Sequence, residues 1–450
     1  MRITENLSYR KIFLFWSPLA LTWLMMAAEQ PFLVSVIARL PDPKFNLAAF
    51  GIAFSFALIV EAPVIMLMSA STALVGSSHS YRKLKRFTDI LNVSVTVVQL
   101  ILLLPPVFNF IVIDLMGVPQ NVARLTHIAL LLLLPWAASI GYRRFYQGIL
   151  IRNNLTRRVT YGTLVRLFLI ALSGFILYLT GIEGAYVGAA TLSIAVFGEA
   201  IASWLMARKT VRLILKDDRR ATEESNMQSG TQKIGYKFIT RFYTPLALTS
   251  LLSLGVHPFV TFFLGRSNMA IESLAVLPVV NSLVFIFRSM GLSYQEVLIA
   301  LVGERKQNYP YLRNFAIILG IGVSVLLGII AFTPLAEIWF IKVSGLTSDL
   351  ADLAYLPLQI MLLLPALSIL LSFQRSTLVV SGTTKPISIA TAVELLTIIA
   401  VLLVCIAYFN MIGVIAAAIA YIIGKSASNI YLGPLQHKTV RKWKIQNPGS

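Results

Sequence analysis

Twelve apolar stretches, each long enough to cross a lipid bilayer, constrain this chain more than any other feature of its sequence. A transmembrane helix needs about 20 mostly apolar residues. Only 13% of the residues are charged, against about 25% in soluble proteins. We therefore predict an all-α polytopic membrane protein with twelve transmembrane helices, at roughly 13–38, 48–76, 88–113, 122–141, 161–181, 186–207, 242–264, 272–302, 312–340, 353–373, 386–408 and 411–432.

The basic residues are distributed unevenly over the segments that join these spans. If the N-terminus lies inside, most of the 38 Lys and Arg residues fall on inner segments, and the outer loops hold only Arg39, Lys44, Arg266 and Lys342. Such an excess marks cytoplasmic loops, so both termini are predicted to be cytoplasmic. We interpret the inner-loop pairs Arg143–Arg144 and Arg157–Arg158 as topology signals that also contact anionic membrane lipids. The formal net charge of +19 then needs no nucleic-acid partner.

The chain contains an internal repeat. The segment at 15–22 (FWSPLALT) recurs at 242–249 (FYTPLALT). Proline landmarks continue the match with a slowly drifting offset, since Pro106 aligns with Pro334 and Pro135 with Pro365. The predicted domains are therefore two six-helix bundles at 1–206 and 242–432, a basic cytoplasmic linker at 207–241 and a cytoplasmic tail at 433–450.

The repeat also bears on function. Because each copy has an even number of spans, the two copies enter the membrane in the same orientation, related by a pseudo-two-fold axis along the membrane normal. Two such bundles facing each other across a cleft are typical of alternating-access transporters. A channel is usually an oligomer around one pore, so the repeat favours a transporter that acts as a monomer.

Polar residues before prolines mark the first span of each copy. Glu29 and Gln30 directly precede Pro31, and His257 precedes Pro258 at the equivalent position. A proline removes a backbone donor and bends the helix, which can turn carbonyls toward a cavity. These three polar residues are candidates for binding substrate or a coupling ion near the outer mouth. The alternative is a kink near the outer surface with polar groups that reach the interface.

Glu61 and Arg288 form the most suggestive pair of ionisable residues within the spans. They align with each other in the repeat, on the second helix of each copy, and ionisable side chains at membrane depth usually face a cavity or a partner. One hypothesis is that they bind substrate, or pair in one state and separate in another. The alternatives are a static ion pair or separate local partners. Neutral polar contacts to the substrate could come from Ser55, Asn281 and Ser282.

Two further carboxylates, Glu199 and Glu394, occur alone in apolar runs. Each is a candidate proton carrier, because burial favours the neutral form of an acid. The alternative is a structural acid that is satisfied by hydrogen bonds.

The sequence gives no indication of an enzyme. It has no GxxxxGK[ST], HExxH or GxSxG motif, so no catalytic residue, no cofactor and no ATP-driven pump are predicted. A single cysteine, Cys405, and four scattered histidines argue against a metal site. Transport would then depend on a gradient or on exchange.

Several of these segments resemble a known superfamily. The aromatic, Ser/Thr, Pro, Leu, Ala opening of each copy is similar to the multidrug/oligosaccharidyl-lipid/polysaccharide superfamily, which contains the MATE exporters. Within it the chain resembles the progressive ankylosis (ANK) family more closely. The residues that carry this likeness are Glu29–Gln30, residues 47–55 (LAAFGIAFS), Pro63, residues 257–260 (HPFV) with Arg266, and residues 275–277 (AVL).

The resemblance implies a MATE-like fold whose two bundles rock between inward- and outward-open states. ANK-type proteins are associated with export of anions such as pyrophosphate, nucleotide and citrate. MATE exporters couple outward drug movement to inward Na⁺ or H⁺ through an acidic residue on the first helix, and Glu29 is the nearest match to that acid.

We therefore expect a secondary active exporter or antiporter of the bacterial cytoplasmic membrane. Its substrate is expected to be a small organic or phosphate-bearing anion, with H⁺ or Na⁺ as a coupling ion. The alternatives are an H⁺- or Na⁺-coupled multidrug exporter and a flippase for a lipid-linked oligosaccharide. A membrane enzyme or assembly scaffold would need a cluster of nucleophile, base or metal ligands at one depth, which the sequence does not suggest.

Overall fold

The computed structural model describes residues 7–153, 155–224, 235–303, 306–383 and 385–446. Within these ranges the chain is helical apart from short connections and one isolated bridge, and twelve helical segments are long and apolar enough to cross a membrane. The predicted fold class and the predicted number of spans are therefore confirmed. Residues 225–234 of the predicted linker and the last four residues of the predicted tail lie outside the described ranges.

Several spans consist of two consecutive helices, so the described chain has twenty α-helices. The first copy contains α1 (Tyr9–Ala27), α2 (Glu29–Ala38), α3 (Pro43–Glu61), α4 (Leu67–Leu74), α5 (Ser78–Leu103), α6 (Pro105–Asn109), α7 (Gln120–Leu132), α8 (Leu134–Arg152), α9 (Thr156–Tyr178) and α10 (Gly184–Glu224). The second copy contains α11 (Tyr236–Leu254), α12 (Val256–Gly265), α13 (Ala270–Leu292), α14 (Tyr294–Leu301), α15 (Tyr309–Ala331), α16 (Leu335–Glu337), α17 (Ser348–Ile360), α18 (Leu364–Val380), α19 (Lys385–Leu403) and α20 (Gly413–Gln446). Short π-helical turns follow α6, α16 and α19, and a 3₁₀ turn precedes α18.

The prolines interrupt the first span of each copy where the sequence predicts a bend. In the first copy the helix breaks at Ala28, three residues before Pro31. In the second copy it breaks at Gly255, three residues before Pro258. A proline ring excludes the carbonyl four residues earlier from the helix, which places each break at the end of the preceding helix.

Four helices continue beyond their predicted ends. The spans predicted to end at 141, 207, 373 and 432 continue helically to Arg152, Glu224, Val380 and Gln446. These helices continue past the predicted spans because the basic residues that the sequence analysis assigned to loops, arginine and lysine, are good helix formers. The predicted linker and tail therefore begin as continuations of helices.

The helices pack as two compact units that differ from the two sequence copies. One unit contains Met1–Arg39 and Phe262–Ser450, and the other contains Leu40–Thr261. The first span of each copy thus packs with the helices of the other copy, whereas the predicted boundaries at 206 and 242 kept each first span with its own copy. We refer to these two spans as the exchanged spans.

Matched contacts hold each exchanged span in its unit. In one unit, Trp16 Nε1 donates to the carbonyl of Met290 at 3.2 Å, and its ring meets Phe315 with 6.0 Å between centroids. In the other, the Tyr243 hydroxyl donates to the carbonyl of Pro63, and its ring meets Phe87, 5.2 Å away. Trp16 aligns with Tyr243, and Pro63 with Met290, in the same register of the repeat. Both acceptors lie where a helix ends or breaks, which leaves carbonyls without helical partners.

We expect Gly148→Ala to destabilise the unit that contains residues 40–261. A Cβ atom at Gly148 on α8 would lie 2.4 Å from the carbonyl oxygen of Met68 and 1.8 Å from Ser71 Oγ. A backbone oxygen cannot rotate away, so the helices must separate, at a cost of about 1–3 kcal/mol in the free energy of unfolding. Thermal unfolding in detergent measures this change. Gly322→Ala on α15 is the matched control, because its Cβ would meet nothing within 4 Å, and an unchanged unfolding temperature for Gly148→Ala would contradict the close packing.

Candidate functional site

Charged side chains from four helices meet inside the unit that contains residues 40–261. Glu199 on α10 is 1% exposed, and its carboxylate accepts hydrogen bonds from Arg143 Nη1 at 2.5 Å and from Gln147 Nε2 at 3.0 Å. Arg166 Nη1 on α9 lies 3.7 Å from the same carboxylate. We call these groups, together with Glu61 and Arg144, the Glu199 cluster.

Glu61 and Arg144 lack the direct partners that Glu199 has. Glu61 ends α3 and is 5% exposed, and its buried Oε2 accepts no hydrogen bond from the described residues. Its carboxylate interacts electrostatically with Arg143, Arg144 and Arg166. The nearest polar contact of the half-buried Arg144 is the sulfur of Met68, at 3.7 Å from Nη1. The cluster thus has three guanidinium groups for two carboxylates.

A second cluster of charged side chains lies inside the other unit. Glu394 on α19 pairs with Lys425 Nζ on α20, while Arg375 Nη2 on α18 donates to Thr391 Oγ1 at 3.1 Å. Arg288 Nε on α13 donates to Ser368 Oγ at 3.2 Å, and its guanidinium interacts electrostatically with Glu394. We call Arg288, Arg375, Glu394 and Lys425 the Glu394 cluster. It has three cations for one carboxylate.

The two clusters place charges of opposite sign on the same three spans of the repeat. Glu61 aligns with Arg288 on the second span, and the fifth and sixth spans carry Arg166 and Glu199 in the first copy but Glu394 and Lys425 in the second. A glycine directly precedes both Glu199 and Lys425. Gly198 and Gly424 both lie where the sixth span closely approaches the fifth, against Leu169 and Ile398 respectively. The repeat has therefore kept charges on these spans while reversing their signs.

The remaining predicted site residues lie on the helices that the sequence indicates. Glu29 is buried at the first position of α2 with Gln30 half-buried beside it, and His257 is half-buried on α12. The hydroxyls of the buried Ser55 and Ser282 donate within their own helices, to the carbonyls of Ile52 at 2.8 Å and Val279 at 2.7 Å. Asn281 is half-buried on α13, two turns before Arg288. All these residues remain candidates.

The structure changes the interpretation of the four ionisable candidates. Glu61 and Arg288 each have oppositely charged neighbours within their own unit, as the alternative of local partners predicts. Glu199 and Glu394, although alone in apolar runs of the sequence, each form an ion pair with a basic residue of another helix, which favours the alternative of structural acids. Those partners are distant in sequence, so the apolar runs alone could not indicate them.

Sequence reasoning missed the cluster residues that it had assigned to inner loops. Arg143 is 5% exposed within α8, and Arg375 lies within α18. For Arg143 a signal was available, since it stands four residues before Gln147 and both then share one face of a helix. Lys425 falls inside the predicted twelfth span, where a cation needs an anionic partner.

Comparisons with known proteins agree with this architecture. The model of the MatE family matches residues 18–176. An inward-facing multidrug resistance MATE family transporter of the MOP superfamily aligns over 94% of this chain and 96% of that one, with 17% identity and a TM-score of 0.73. An outward-facing transporter of the same description aligns over 96% of both chains, with 16% identity and a TM-score of 0.62.

A third similar structure belongs to a flippase. The lipid II flippase MurJ, in an inward closed conformation, aligns over 96% of this chain and 92% of that one, with 17% identity and a TM-score of 0.64. A search of curated protein sequences found no similar relative. Full-length agreement with these structures, and the match of the first copy to the MatE model, show that this chain has the fold of the MATE transporters.

Proposed function

We propose that this protein is a secondary active transporter that moves a small organic or phosphate-bearing anion by alternating access. The fold supports the transport mechanism, since proteins with the same fold have been solved in inward-facing and outward-facing conformations. The observation that carries the choice of an anion is the excess of cations in both buried clusters. The ANK resemblance, which the comparisons do not test, favours the same class of substrate.

Arg288 and Arg144 are the groups best suited to bind such an anion. In the described helices neither guanidinium forms an ion pair within 4.0 Å, and the N–H groups of each have few partners. An uncompensated cation inside a membrane protein is costly, so a bound anion would offset part of that cost. Arginine also presents a planar set of donors that matches carboxylate and phosphate groups.

The further elements of the proposal follow from the sequence. Both termini would be cytoplasmic in a bacterial inner membrane, the protein would act as a monomeric exporter or antiporter, and H⁺ or Na⁺ would be the coupling ion. Glu29, Gln30 and His257 would contribute near the outer mouth. Glu199 and Glu394 could carry protons only if their ion pairs open during the cycle.

Two other functions remain as alternatives. A flippase for a lipid-linked oligosaccharide is supported by the structural match to MurJ, and a diphosphate linkage could bind the same arginines. A multidrug exporter coupled to H⁺ or Na⁺ is supported by the structural match to a multidrug resistance MATE family transporter. Neither alternative requires the excess of cations in both clusters, although the flippase is compatible with it.

Uptake into proteoliposomes tests the proposed function. Radiolabelled citrate, pyrophosphate and ATP are compared with a cationic dye, each with and without a pH or Na⁺ gradient. We expect anion uptake in the wild type and a loss of about tenfold or more in Arg288→Ala, because a hydrogen bond to a charged group contributes about 1.5–3 kcal/mol. Arg313→Ala is the matched control, since Arg313 is exposed on α15 and hydrogen bonds only to its neighbour Asn314.

The other outcomes separate the alternatives. Gradient-driven uptake of the dye that is unaffected by Arg288→Ala would contradict the proposal of an anionic substrate and support a multidrug exporter. If no solute moves while a fluorescent lipid-linked diphosphate crosses the bilayer, the flippase is correct.

A further inference from the structure

We propose that a proton on Glu61 converts the Glu199 cluster into an anion-binding site, so that a proton and an anion bind to this unit together. This inference rests on the proposed anion transport and names its coupling ion. The proton would move in the same direction as the anion, and not in exchange for it as in the antiporter considered above. The step transfers one proton from solvent to the Glu61 carboxylate and alters no other covalent bond. Anion binding should therefore be tighter at low pH than at high pH.

Glu61 is the acid of the cluster that can change its charge without breaking a direct contact. Glu199 is held by Arg143, Gln147 and Arg166. Glu61 is equally buried, yet its Oε2 has no hydrogen-bond partner and no basic nitrogen lies within 4.0 Å of its carboxylate in the described part of the chain. A buried carboxylate oxygen that lacks a partner is costly to maintain. A proton removes that cost.

Arg144 is the group that the proton would release. The Glu61 and Glu199 carboxylates both attract the positive charge of Arg144, although neither forms an ion pair with it. When Glu61 is ionised, the cluster has three cations and two carboxylates, and Glu61 competes with an incoming anion for Arg144. When Glu61 is neutral, three cations face one carboxylate that is already engaged. The attraction for an anion then increases, and by linkage the bound anion also favours the proton.

The surroundings of Glu61 favour a proton over a metal ion. Hard cations bind through several oxygen ligands, and no group of three or more His, Cys, Asp or Glu that could hold a metal occurs among the described residues. The charged and titratable groups on the neighbouring helices include Arg143 and Arg144 on α8, Arg166 on α9, Glu199 on α10, Tyr243 on α11, Asp89 and Lys85 on α5, and His127 on α7. Three of these are guanidinium groups that interact electrostatically with Glu61, without direct contact, and would repel Na⁺.

The groups around Glu61 that lie outside the Glu199 cluster already have partners of their own. The Tyr243 hydroxyl donates to the carbonyl of Pro63, Asp89 pairs with Lys85, and His127 Nε2 lies 2.8 Å from the carbonyl of Leu103. They therefore offer no alternative proton acceptor with a free buried oxygen.

The second copy lacks an equivalent switch. Arg288 stands where the first copy has Glu61, and the one carboxylate of that cluster, Glu394, is paired with Lys425. Arg288 can thus bind an anion in any protonation state of Glu61. The reversal of charge between the copies makes one cluster dependent on a proton and leaves the other independent of it.

Isothermal titration calorimetry of citrate binding to the full-length protein in detergent, from pH 5.5 to 8.5, tests the inference. The wild type should bind citrate more weakly as the pH rises, and Glu61→Gln, which mimics the neutral acid, should remain tight. At pH 8.5 the variant should bind roughly 5- to 150-fold more tightly than the wild type, the usual range for coupled sites. Both proteins meet the same ionisation states of citrate, so the ratio of their dissociation constants cancels that contribution.

Glu296→Gln is the matched control, because Glu296 is an exposed acid on α14 outside both clusters, and it should behave as the wild type. A second measurement needs no variant: titrations in buffers of different ionisation enthalpy should show up to one proton taken up per citrate bound, at the pH values over which the affinity for citrate falls. If the wild type and Glu61→Gln have nearly the same dissociation constant for citrate at every pH, or if the wild type takes up no proton, the inference is overturned and the proposed function stays intact. If citrate, pyrophosphate and ATP all fail to bind to the wild type at any pH, the proposed function fails as well.

Discussion

Glu199→Ala is expected to lower the free energy of unfolding by about 3–5 kcal/mol, the usual cost of removing one partner from a buried ion pair. The Glu199 carboxylate is 1% exposed and receives Arg143, Gln147 and Arg166 from two other helices. Without it, four described helices would hold three guanidinium groups around Glu61 alone. The buried side chains of Arg143 and Arg166 cannot reach water without opening the unit.

Thermal unfolding in detergent, followed by the elution profile on size exclusion, measures this loss. Glu337→Ala is the control, because Glu337 is exposed at the end of the short helix α16. The double variant Glu199→Ala with Arg143→Met should recover part of the lost stability, since removing both partners of a pair costs less than removing one. A Glu199→Ala protein as stable as the wild type would show that the ion pair does not hold these helices together.

The second large effect concerns the sign of the charges in the Glu394 cluster. Glu394→Lys should prevent the accumulation of folded protein, because Arg288, Arg375 and Lys425 would then face a fourth cation and no carboxylate. The penalty is on the order of 3–5 kcal/mol or more. Adding Lys425→Glu should restore most of the folded protein, since the double variant places a cation on the fifth span and a carboxylate on the sixth. The first copy already has that order, with Arg166 and Glu199.

Fluorescence-detected size exclusion of the two variants measures the recovery. Lys425→Glu alone is the matched single variant, and it should fail because two adjacent carboxylates repel each other in a buried site. If the double variant aggregates as completely as Glu394→Lys, the two copies do not tolerate exchange of their charges, and the equivalence of these positions is wrong.

The sequence predicted the number of spans, the repeat and the breaks near Pro31 and Pro258, because each of these depends on local composition or on a proline. It did not predict the ends of α8 and α18. An arginine such as Arg143 can lie in a loop, or within a helix where a residue distant in sequence neutralises its charge. The alignment of Glu61 with Arg288 indicated equivalent positions. It could not indicate their neighbours, which come from three other spans.

The exchange of the first spans was also beyond the sequence. The segments FWSPLALT and FYTPLALT are nearly identical, so their composition suits either set of helices equally well. The choice depends on long-range contacts such as that between Trp16 and Met290, which are 274 residues apart.

The exchanged spans have a consequence for how the protein is made. A nascent chain that has just completed residue 206 still lacks α11, and therefore Tyr243, so the unit that contains residues 40–261 cannot yet be complete. The contacts of Trp16 can form only later, after Met290 and Phe315 have been translated. Neither half of the gene therefore encodes a self-sufficient folding unit. Each unit of this two-copy protein is therefore complete only after translation has entered the second copy.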